Sequence, residues 1–272
     1  MNELFLLGRG LYFPTETRGF GQQDKGISPQ GAQDQFSFLT AFNLLSKPTD
    51  FQSVEIIYAD EIVANDDLIF IITGAEYSQT SLGLDSIINN KVYRISKGER
   101  VSFKGEKSGY RTIFIAIKQT QQNLHLEGLL RKQQSEEYTA KLFNNRVIRV
   151  TKGPEFDVLC DDAIFSKNWT LSPNSSQMGI VLEGNALETK EIQMISQPVT
   201  DGTIQLAPSG PIVLMRHRQT VGGYPRVLNV IEPDIDKLSQ FALGSKISLK
   251  LITIEEAIKL AKEYTYITSA II

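Results

Sequence analysis

Short apolar runs dominate the hydrophobic pattern of this 272-residue chain, and most of them are separated by Gly, Asn, Asp or Pro. Runs of this length with turn residues between them predict strands in an antiparallel or mixed β architecture, rather than regular alternation of strands and helices. The predicted strands cover residues 54–58, 68–72, 100–103, 111–118, 146–150, 179–182, 203–206, 212–215, 227–231 and 246–252. The pattern therefore favours a mainly β protein with a few α-helices.

Helical periodicity occurs in four places. Residues 34–45 have apolar side chains at three-residue spacing, with further apolar residues beside them, which predicts a helix that packs by most of its surface. The other predicted helices are a short one at residues 135–143, one that begins at Pro233 and ends at Gly244, and one that follows the capping-box pair Thr253 and Glu256.

A weak similarity between two segments of the sequence indicates how the chain divides into domains. Residues 98–104 and 244–250 each consist of a Gly followed by an alternating strand, and the polar segment 119–134 lies between them. This arrangement is consistent with two related β domains. We place the boundary near residue 125, which gives predicted domains of residues 1–125 and 126–272.

Composition and charge narrow the classes of function. The formal net charge is −3, which gives no general attraction to nucleic acid or to anionic lipid. The sequence has no basic leader and no run of 18 apolar residues, so we expect a cytoplasmic protein that does not enter the membrane. Cys160 is the only cysteine, which allows no internal disulfide and fits a reducing compartment. We expect its side chain to be buried as a small apolar group.

Several catalytic motifs are absent from the sequence. It contains no Gly-x-Ser-x-Gly, no Gly-x-x-x-x-Gly-Lys-Ser/Thr and no His-Glu-x-x-His, so serine-hydrolase, P-loop and zincin chemistry lack their motif. The only histidines are His125 and His217, which cannot form a histidine-rich metal site. We therefore predict no metal site.

One polar cluster follows a buried strand. The apolar run 212–215 lies between a Pro-Ser-Gly-Pro turn and the pair Gly222 and Gly223. The polar residues between the run and the glycines are Arg216, His217, Arg218, Gln219 and Thr220. Such a cluster offers fixed donors to an anionic or amide ligand, and the glycines let backbone approach it closely. The alternative interpretation is a solvated polar turn with an exposed basic tip.

Two residues of this cluster are the strongest candidates for a chemical role. His217 lies between two arginines, whose charge opposes its protonation and favours a neutral imidazole usable as a base. Alternation along a strand would instead turn His217 away from both arginines, as a structural or inert histidine. Arg218 is suited to recognise a carboxylate or phosphate through its planar fork, or is a solvated tip.

Two acids near the N-terminal helix are further candidates. Asp34 precedes that helix and is a candidate N-cap, and the helix N-terminus is alternatively an anion site. Glu55 lies in an apolar strand, where it is either a buried acid with a partner or an edge residue that faces water.

These motifs together identify a family. Residues 202–214 read Gly-Thr-Ile-Gln-Leu-Ala-Pro-Ser-Gly-Pro-Ile-Val-Leu and residues 218–225 read Arg-Gln-Thr-Val-Gly-Gly-Tyr-Pro. Supporting segments are Gly-Ala-Gln-Asp at 31–34, Val-Glu at 54–55 and Arg-Val-Thr-Lys-Gly-Pro at 149–154. The sequence resembles, over nearly its full length, the biotin-dependent carboxyltransferase family that includes the C subunit of 5-oxoprolinase, KipA and allophanate hydrolase subunit 2.

The resemblance implies a fold and a function. The fold is a pair of cyclophilin-like β-barrel domains. The function is that of one component of an ATP-dependent 5-oxoprolinase, which opens 5-oxoproline to glutamate together with an A subunit and with a B subunit similar to KipI. ATP would be bound with or by those partners.

The resemblance also implies roles for the polar cluster. Arg218 is a candidate for the carboxylate of a small cyclic amide. His217 is the candidate catalytic residue on its own chemistry, as a base, and not through the resemblance. Candidates for the ring amide are Gln219, Thr220 and the backbone N–H groups near Gly222 and Gly223. Tyr224, Asp34 and Glu55, which fit the family's motifs, complete the candidate substrate-binding residues.

The chain departs from the family's pattern at His217, at Gln177, at residues 14–21 and after Ala116, where the family's Gly-Gly is missing. The family usually has Asp where this chain has His217, and Arg where it has Gln177. These departures keep two alternatives open. One is a non-catalytic regulatory protein of the KipA type that pairs with a KipI-like kinase inhibitor. The other is a carboxyltransferase component that acts on a urea-like amide, with biotin carried by a separate partner because this chain lacks a carrier lysine motif.

Overall fold

The computed structural model describes residues 4–120 and 145–270. Among these residues the chain forms two compact units, each with its own core. The first unit comprises residues 4–16, 34–120 and 266–270, and the second comprises residues 17–33 and 145–265. The predicted boundary near residue 125 lies outside the described residues, as does the predicted helix at 135–143.

The first unit is a mixture of long and short strands that pair antiparallel in one eight-stranded sheet. Its strands are β1 (Phe5–Leu7), β2 (Gly10–Thr15), β3 (Gln52–Ala59), β4 (Glu61–Ala64), β5 (Leu68–Leu82), β6 (Asp85–Ser86), β7 (Val92–Ile95) and β8 (Arg100–Lys118). The path β1-β4-β8-β3-β2 is completed by β5, which pairs with β6, β7 and β8.

Continuous apolar runs in β5 and β8 follow from burial on both faces of the sheet. On one face Phe70 and Phe114 stack with ring centroids 5.2 Å apart inside the core. The next residues along the two strands, Ile71 and Ile115, belong to the opposite face and are also fully buried. Helix α1 (Gln35–Leu44) contacts both strands. A strand covered on both sides needs no polar alternation, which is why its sequence reads as an unbroken apolar run.

Helix α1 begins where the sequence predicts. The carboxylate of Asp34 accepts hydrogen bonds from the backbone N–H of Ser37 at 2.9 Å and from the Ser37 hydroxyl at 2.5 Å. The predicted N-cap is therefore confirmed, since the side chain satisfies a helix N–H that has no partner within the helix.

The second unit is a closed barrel with the strand order β10-β11-β14-β13-β16-β9-β17. Its strands are β9 (Val147–Lys152), β10 (Asn168–Leu171), β11 (Gly179–Glu183), β12 (Gln197–Pro198), β13 (Thr203–Ala207), β14 (Gly210–Leu214), β15 (Val221–Gly222), β16 (Arg226–Val230) and β17 (Lys246–Leu251). Strands β12 and β15 form a separate two-stranded ribbon, and β9 pairs in parallel with β17. Ile204, Val213 and Leu228 are fully buried inside the barrel.

Short helices and turns connect these strands. The remaining α-helices are α2 (Ala163–Ser166), α3 (Glu232–Ser239) and α4 (Ile254–Ala270), and single 3-10 turns occur at Gln23–Lys25 and Phe156–Val158. The hydroxyl of Thr253 accepts a hydrogen bond from the N–H of Glu256 at 3.2 Å, as the capping-box pattern predicts. No helix within the described ranges is long and apolar enough to cross a membrane.

The fold class is confirmed as mainly β with two barrel-like sheets. Three expectations at finer scale were wrong. The helix predicted to end at Gly244 ends at Ser239. The strands predicted at 100–103 and 111–118 are one strand, β8, because its polar middle stays paired with β5 across register shifts. Cys160 is exposed rather than buried, because it follows the short 3-10 turn at Phe156–Val158 outside the barrel strands.

Candidate functional site

The polar cluster of the sequence forms an ordered loop in the second unit, residues 215–225, which we call the polar loop. Strand β14 ends at Leu214, and residues 216 and 217 form a turn in which the N–H of Arg218 donates to the carbonyl of Met215 at 3.1 Å. Farther along, the N–H of Val199 donates to the carbonyl of Thr220 at 3.0 Å, next to the β12–β15 ribbon. At its two ends the N–H of Met215 donates to the carbonyl of Met178 at 2.9 Å, and the carbonyl of Pro225 accepts from the N–H of Leu206 on β13 at 2.9 Å. Both ends of the polar loop are therefore held by backbone hydrogen bonds.

Arg216 is fully buried, so it is not the exposed basic tip that one interpretation of the sequence expected. Its guanidinium contacts Asp236 at 2.6 Å and Glu232 at 3.0 Å, and its Nε donates to the carbonyl of Gln33 at 3.1 Å. Glu232 and Asp236 lie one turn apart on α3, which places both carboxylates on the same side of that helix. Burial by itself lowers the pKa of Arg216, but the charges of Asp236 and Glu232 outweigh it, and the net shift is upward.

Tyr264 completes the surroundings of Asp236. Its hydroxyl donates to the carboxylate Oδ2 of Asp236 at 2.6 Å. Burial, followed by the negative charge of Asp236, holds the pKa of Tyr264 well above its ordinary value. Tyr264 therefore remains a neutral hydrogen-bond donor to a buried acid.

Asp201 is the centre of a second group of ion pairs. Its carboxylate contacts the guanidinium of Arg18, lies 2.8 Å from the Nε of Arg218 and lies 3.6 Å from Arg216. The Arg218 Nε and Asp201 Oδ1 atoms lack the alignment of a hydrogen bond, so their contact is an ion pair. We call Arg18, Arg216, Arg218, Asp201, Glu232 and Asp236 the arginine cluster. Its three positive and three negative side chains balance, which explains how so many charges are accommodated at low exposure.

Arg218 is almost entirely buried, with 6% of its surface exposed. Its Nη1 donates to the carbonyl of Gln219 at 3.0 Å, and its Nε faces Asp201. Among the described residues no hydrogen bond engages Nη2. The guanidinium is thus held by two of its nitrogens, and the donors of the third have no hydrogen-bond partner within the described residues.

His217 lies in the turn rather than on a strand, so strand alternation does not decide its direction. Its Nε2 lies 2.9 Å from the carbonyl oxygen of Gly31, which can only accept, so Nε2 carries the proton. In the neutral imidazole this tautomer leaves Nδ1 as a free acceptor. The geometry is compatible with a base whose ring is fixed by the segment 17–33 of the same unit.

The remaining candidates of the polar loop differ in exposure. Thr220 is buried and Gln219 is half-buried, and the amide of Gln219 donates to Gln205 at 3.2 Å. Gly223 and Tyr224 are exposed, with 47% of the Tyr224 surface accessible. The polar loop therefore has a buried polar part, which includes Thr220, and an exposed part, which includes Gly223 and Tyr224.

Asp34 and Glu55 belong to the first unit, whereas all the other candidate residues belong to the second. Glu55 is 2% exposed; it accepts a hydrogen bond from the backbone N–H of Asp34 at 3.1 Å and pairs with Arg111 at 3.1 Å. Of the two alternatives for Glu55, the buried acid with a partner is the one found. Both carboxylates are engaged within the first unit.

Gln177, the second departure from the family pattern, also has partners in its own unit. The amide of Gln33 donates to its side-chain oxygen at 2.7 Å and to its backbone carbonyl at 2.9 Å. Because the oxygen of the same Gln33 amide accepts from the N–H of Arg216 at 3.2 Å, Gln177 is linked to the polar loop through one residue.

Several site residues were not found from the sequence. These are Arg18, Gln33, Asp201, Gln205, Asp236 and Tyr264. Most act on residues far away along the chain, so no local spacing reveals them. Two signals were available. Glu232 and Asp236 are four residues apart near a predicted helix, and Gln33 and Gln205 lie within the motif segments 31–34 and 202–214. Among residues 4–120 and 145–270, no group of three potential metal ligands occurs.

Comparison with known proteins assigns the chain to a protein family. Residues 25–121 and 114–251 match the model of the carboxyltransferase domain, subdomains A and B. The chain belongs to this family. The second matched segment contains the whole polar loop together with Asp201 and α3, so most of the arginine cluster lies within the family's own domain.

Two curated relatives match parts of the chain. The C subunit of 5-oxoprolinase from Haemophilus influenzae is 43% identical over 97 residues, which is 35% of this chain and 31% of that protein. The C subunit of 5-oxoprolinase from Escherichia coli is 41% identical over 123 residues, which is 43% of this chain and 39% of that protein. The matches thus span about a third of the length of each relative.

The fold also occurs in a solved structure. The urea carboxylase of Kluyveromyces lactis superposes with a TM-score of 0.80 at 14% sequence identity, covering 98% of this chain and 28% of that one. At this identity the likeness concerns the fold alone.

Proposed function

We propose that this chain is the C subunit of an ATP-dependent 5-oxoprolinase, which opens 5-oxoproline to glutamate and works with separate A and B subunits. The observation that supports it most is the 43% and 41% identity to two proteins that carry the name of this 5-oxoprolinase component. Membership of the carboxyltransferase domain family and the ordered polar loop agree with this function.

The polar loop has groups that suit the two polar ends of 5-oxoproline. The free Nη2 of Arg218 is a donor for the substrate carboxylate, and the ion pair with Asp201 fixes the guanidinium in place. Gln219, Thr220 and the backbone N–H groups of Gly222 and Gly223 are candidate partners for the ring amide. His217 is the candidate base, through Nδ1.

Asp34 and Glu55 stay in the proposal as candidate substrate-binding residues. Their carboxylates now bind Ser37 and Arg111, so substrate contact would require one of these partners to be exchanged. The two acids therefore rank behind Arg218, which has an unused donor.

We assign ATP to the partner proteins. The sequence contains no Gly-x-x-x-x-Gly-Lys-Ser/Thr motif, which in P-loop proteins surrounds the phosphates. Bound ATP would supply the free energy for opening a stable cyclic amide. This chain would contribute the binding and orientation of that amide.

A reconstitution experiment tests the proposal. The chain is co-expressed with a candidate A subunit and a candidate B subunit, the complex is purified, and glutamate formation from 5-oxoproline is measured with and without ATP. We expect turnover only with all three proteins and ATP. Turnover by the two partners without this chain, or none by a stable complex of all three, would contradict the proposal.

The same complex distinguishes the alternatives. Transfer of a carboxyl group from carboxybiotin to urea would support the carboxyltransferase function that the family's name describes. A stable pair with the KipI-like partner that turns over neither 5-oxoproline nor urea would support a regulatory protein of the KipA type.

The role of Arg218 is tested within the active complex. Removing a charge-assisted hydrogen bond of about 1.5–3 kcal/mol predicts that Arg218→Ala raises KM for 5-oxoproline roughly 10- to 100-fold. Arg218→Lys keeps the charge but not the fork, so we expect an intermediate KM. Thermal unfolding of each variant shows whether the barrel is intact. An unchanged KM in Arg218→Ala would remove Arg218 from the site.

A further inference from the structure

We propose that Gln205 is a positioning residue that sets the conformation of the polar loop and thereby the placement of its ligand groups. This inference rests on the proposed function for its kinetic consequence, but not for its structural one. Gln205 lies on β13 and is 2% exposed. Its side-chain amide contacts the polar loop.

The register of the barrel changes where Gln205 occurs. Ile204 pairs with Leu228 on β16, and Gln205 pairs with Arg226, so one residue of β16 is left over between them. A bulge of this kind redirects the neighbouring side chains. The N–H of Leu206 then donates to the carbonyl of Pro225 at 2.9 Å, which ties the end of the polar loop to the same strand.

The amide of Gln205 joins two points of the polar loop. Its Nε2 donates to the carbonyl of Tyr224 at 3.1 Å, and its Oε1 accepts from the side-chain amide of Gln219 at 3.2 Å. These contacts lie five residues apart along the loop. They require one group that donates and accepts at once, which a carboxylate cannot do.

Gly222 is shaped by the same side chain. A Cβ at this position would lie 2.6 Å from Nε2 of Gln205, which is closer than non-bonded atoms approach, and 3.0 Å from its Oε1, which is a tight contact. At Gly223 the nearest atom to an added Cβ is the Ser196 Oγ, at an ordinary 3.7 Å. A Cβ at Gly222 would therefore displace the Gln205 amide or the loop backbone, whereas one at Gly223 would displace neither.

The consequence concerns the ligand groups. Gln219 is a candidate partner for the ring amide, and its orientation is set by Gln205. The backbone of Gly222 passes close to the same amide, with no room for a side chain between them. Gln205 therefore acts through the polar loop rather than on substrate, and fixing these groups before binding lowers the ordering cost of binding.

Hydrogen exchange tests the structural part without any need for turnover. Exchange of the peptide spanning residues 218–225 is compared in the intact chain for the wild type, Gln205→Met and Gly222→Ala. We expect about tenfold faster exchange in both variants, because two hydrogen bonds are lost or the loop is pushed off Gln205.

Matched controls separate a local effect from general loosening. Gly223→Ala adds the same methyl group one residue on, and we expect its exchange to stay close to that of the wild type. Thr203→Val removes a buried hydroxyl of β13 that donates to Asn229 on β16, accepts from the N–H of Thr200 and makes no hydrogen bond to Gln205. We expect exchange of residues 218–225 in this variant to stay close to that of the wild type. Unchanged exchange in Gly222→Ala, or equal increases in Gly222→Ala and Gly223→Ala, would overturn the positioning role. If Gln205→Met fails to fold, the comparison of Gly222→Ala with Gly223→Ala still tests the positioning role.

Kinetics in the reconstituted complex test the functional part. We expect KM for 5-oxoproline to rise about tenfold in Gln205→Met and Gly222→Ala while the complex still assembles. Faster exchange with unchanged KM would overturn the effect on ligand placement. A wild-type complex without turnover would instead count against the proposed function, and the exchange result would stand separately.

Discussion

At the scale of single residues, Arg216 shows how a charged side chain is kept in the interior of the second unit. It is completely buried, and its charge is met by Asp236, which is equally buried, and by Glu232, whose side chain is 39% exposed. Burial of an ion is costly unless it is paired and hydrogen-bonded, and Arg216 has both kinds of contact. The two acids should therefore contribute unequally to stability.

The prediction compares Asp236→Asn with Glu232→Gln. We expect Asp236→Asn to lower the free energy of unfolding by about 3 kcal/mol, because it leaves the buried Arg216 without its nearest counter-charge. Glu232→Gln should cost less than about 1 kcal/mol, since water screens its exposed carboxylate. Urea unfolding of both variants gives the two values, and equal losses would contradict this account of the arginine cluster.

Tyr264 gives a prediction about alkaline pH. Its pKa is raised in the folded protein, so above the ordinary Tyr pKa of about 10 the unfolded chain loses a proton that the folded chain keeps. The unfolded state is then favoured, and the stability that Tyr264 contributes is complete below about pH 10 and declines as the pH rises further.

Tyr264→Phe should flatten this alkaline decline, and it should also lower stability near pH 8 by about 1.5–3 kcal/mol through loss of the bond to Asp236. Tyr266, two residues on and 68% exposed, is the matched control, and Tyr266→Phe should change neither quantity. The measurement is the free energy of unfolding from pH 8 to pH 11. If the free energy of unfolding declines as steeply with pH in Tyr264→Phe as in the wild type, a group other than Tyr264 causes the decline.

At the scale of elements, the start of α1 depends on a single carboxylate. Asp34→Ala removes both contacts to Ser37 and should lower the free energy of unfolding of the first unit by about 1 kcal/mol. Asp34→Asn keeps an acceptor at the cap and should cost less. Thermal unfolding compares the variants, and an equal loss in both would mean that the negative charge, rather than the cap, is what matters.

The elements also show which parts of the structure the sequence predicts. The apolar beginning of β5 at Leu68 was found, because burial on both faces leaves a continuous apolar run. Its continuation to Leu82 was missed, because most of those residues are polar and only partly buried, so they form no apolar run. The predicted helices that lie in the described residues begin at or within two residues of the expected caps, since capping chemistry is local.

The candidate site was predictable only in part for the same reason. The polar loop follows a strand and precedes two glycines, a pattern visible in ten residues of sequence. The partners of that loop come from elsewhere. Gln33 contacts Arg216 across 183 residues of chain, Asp201 approaches from the turn before β13, and Gln205 approaches from β13 itself. A sequence pattern records what each residue prefers locally, and it does not record which distant residue satisfies it.

At the scale of the whole molecule, the units do not follow the order of the chain. Residues 17–33 belong to the second unit although they precede most of the first in sequence. This segment supplies Arg18 to Asp201, Gly31 to His217 and Gln33 to Arg216. The second unit is therefore incomplete without it.

A fragment of residues 126–272 tests this dependence, because it lacks the segment. We expect it to unfold at a clearly lower urea concentration than the second unit does in the intact chain, with the arginine cluster left short of its partners. Addition of a peptide of residues 17–33 should raise the midpoint in a concentration-dependent way. A fragment as stable as the intact chain, and indifferent to the peptide, would contradict the assignment of this segment.

Our proposal that this chain is a required part of a 5-oxoprolinase is tested by glutamate release from 5-oxoproline by the A and B subunits with ATP, with this chain added in increasing amounts. We expect glutamate release to be absent without the chain and to rise to a plateau as the chain saturates its partners. Glutamate release that is already maximal without the chain, or absent at every concentration of a chain that binds its partners, would contradict it.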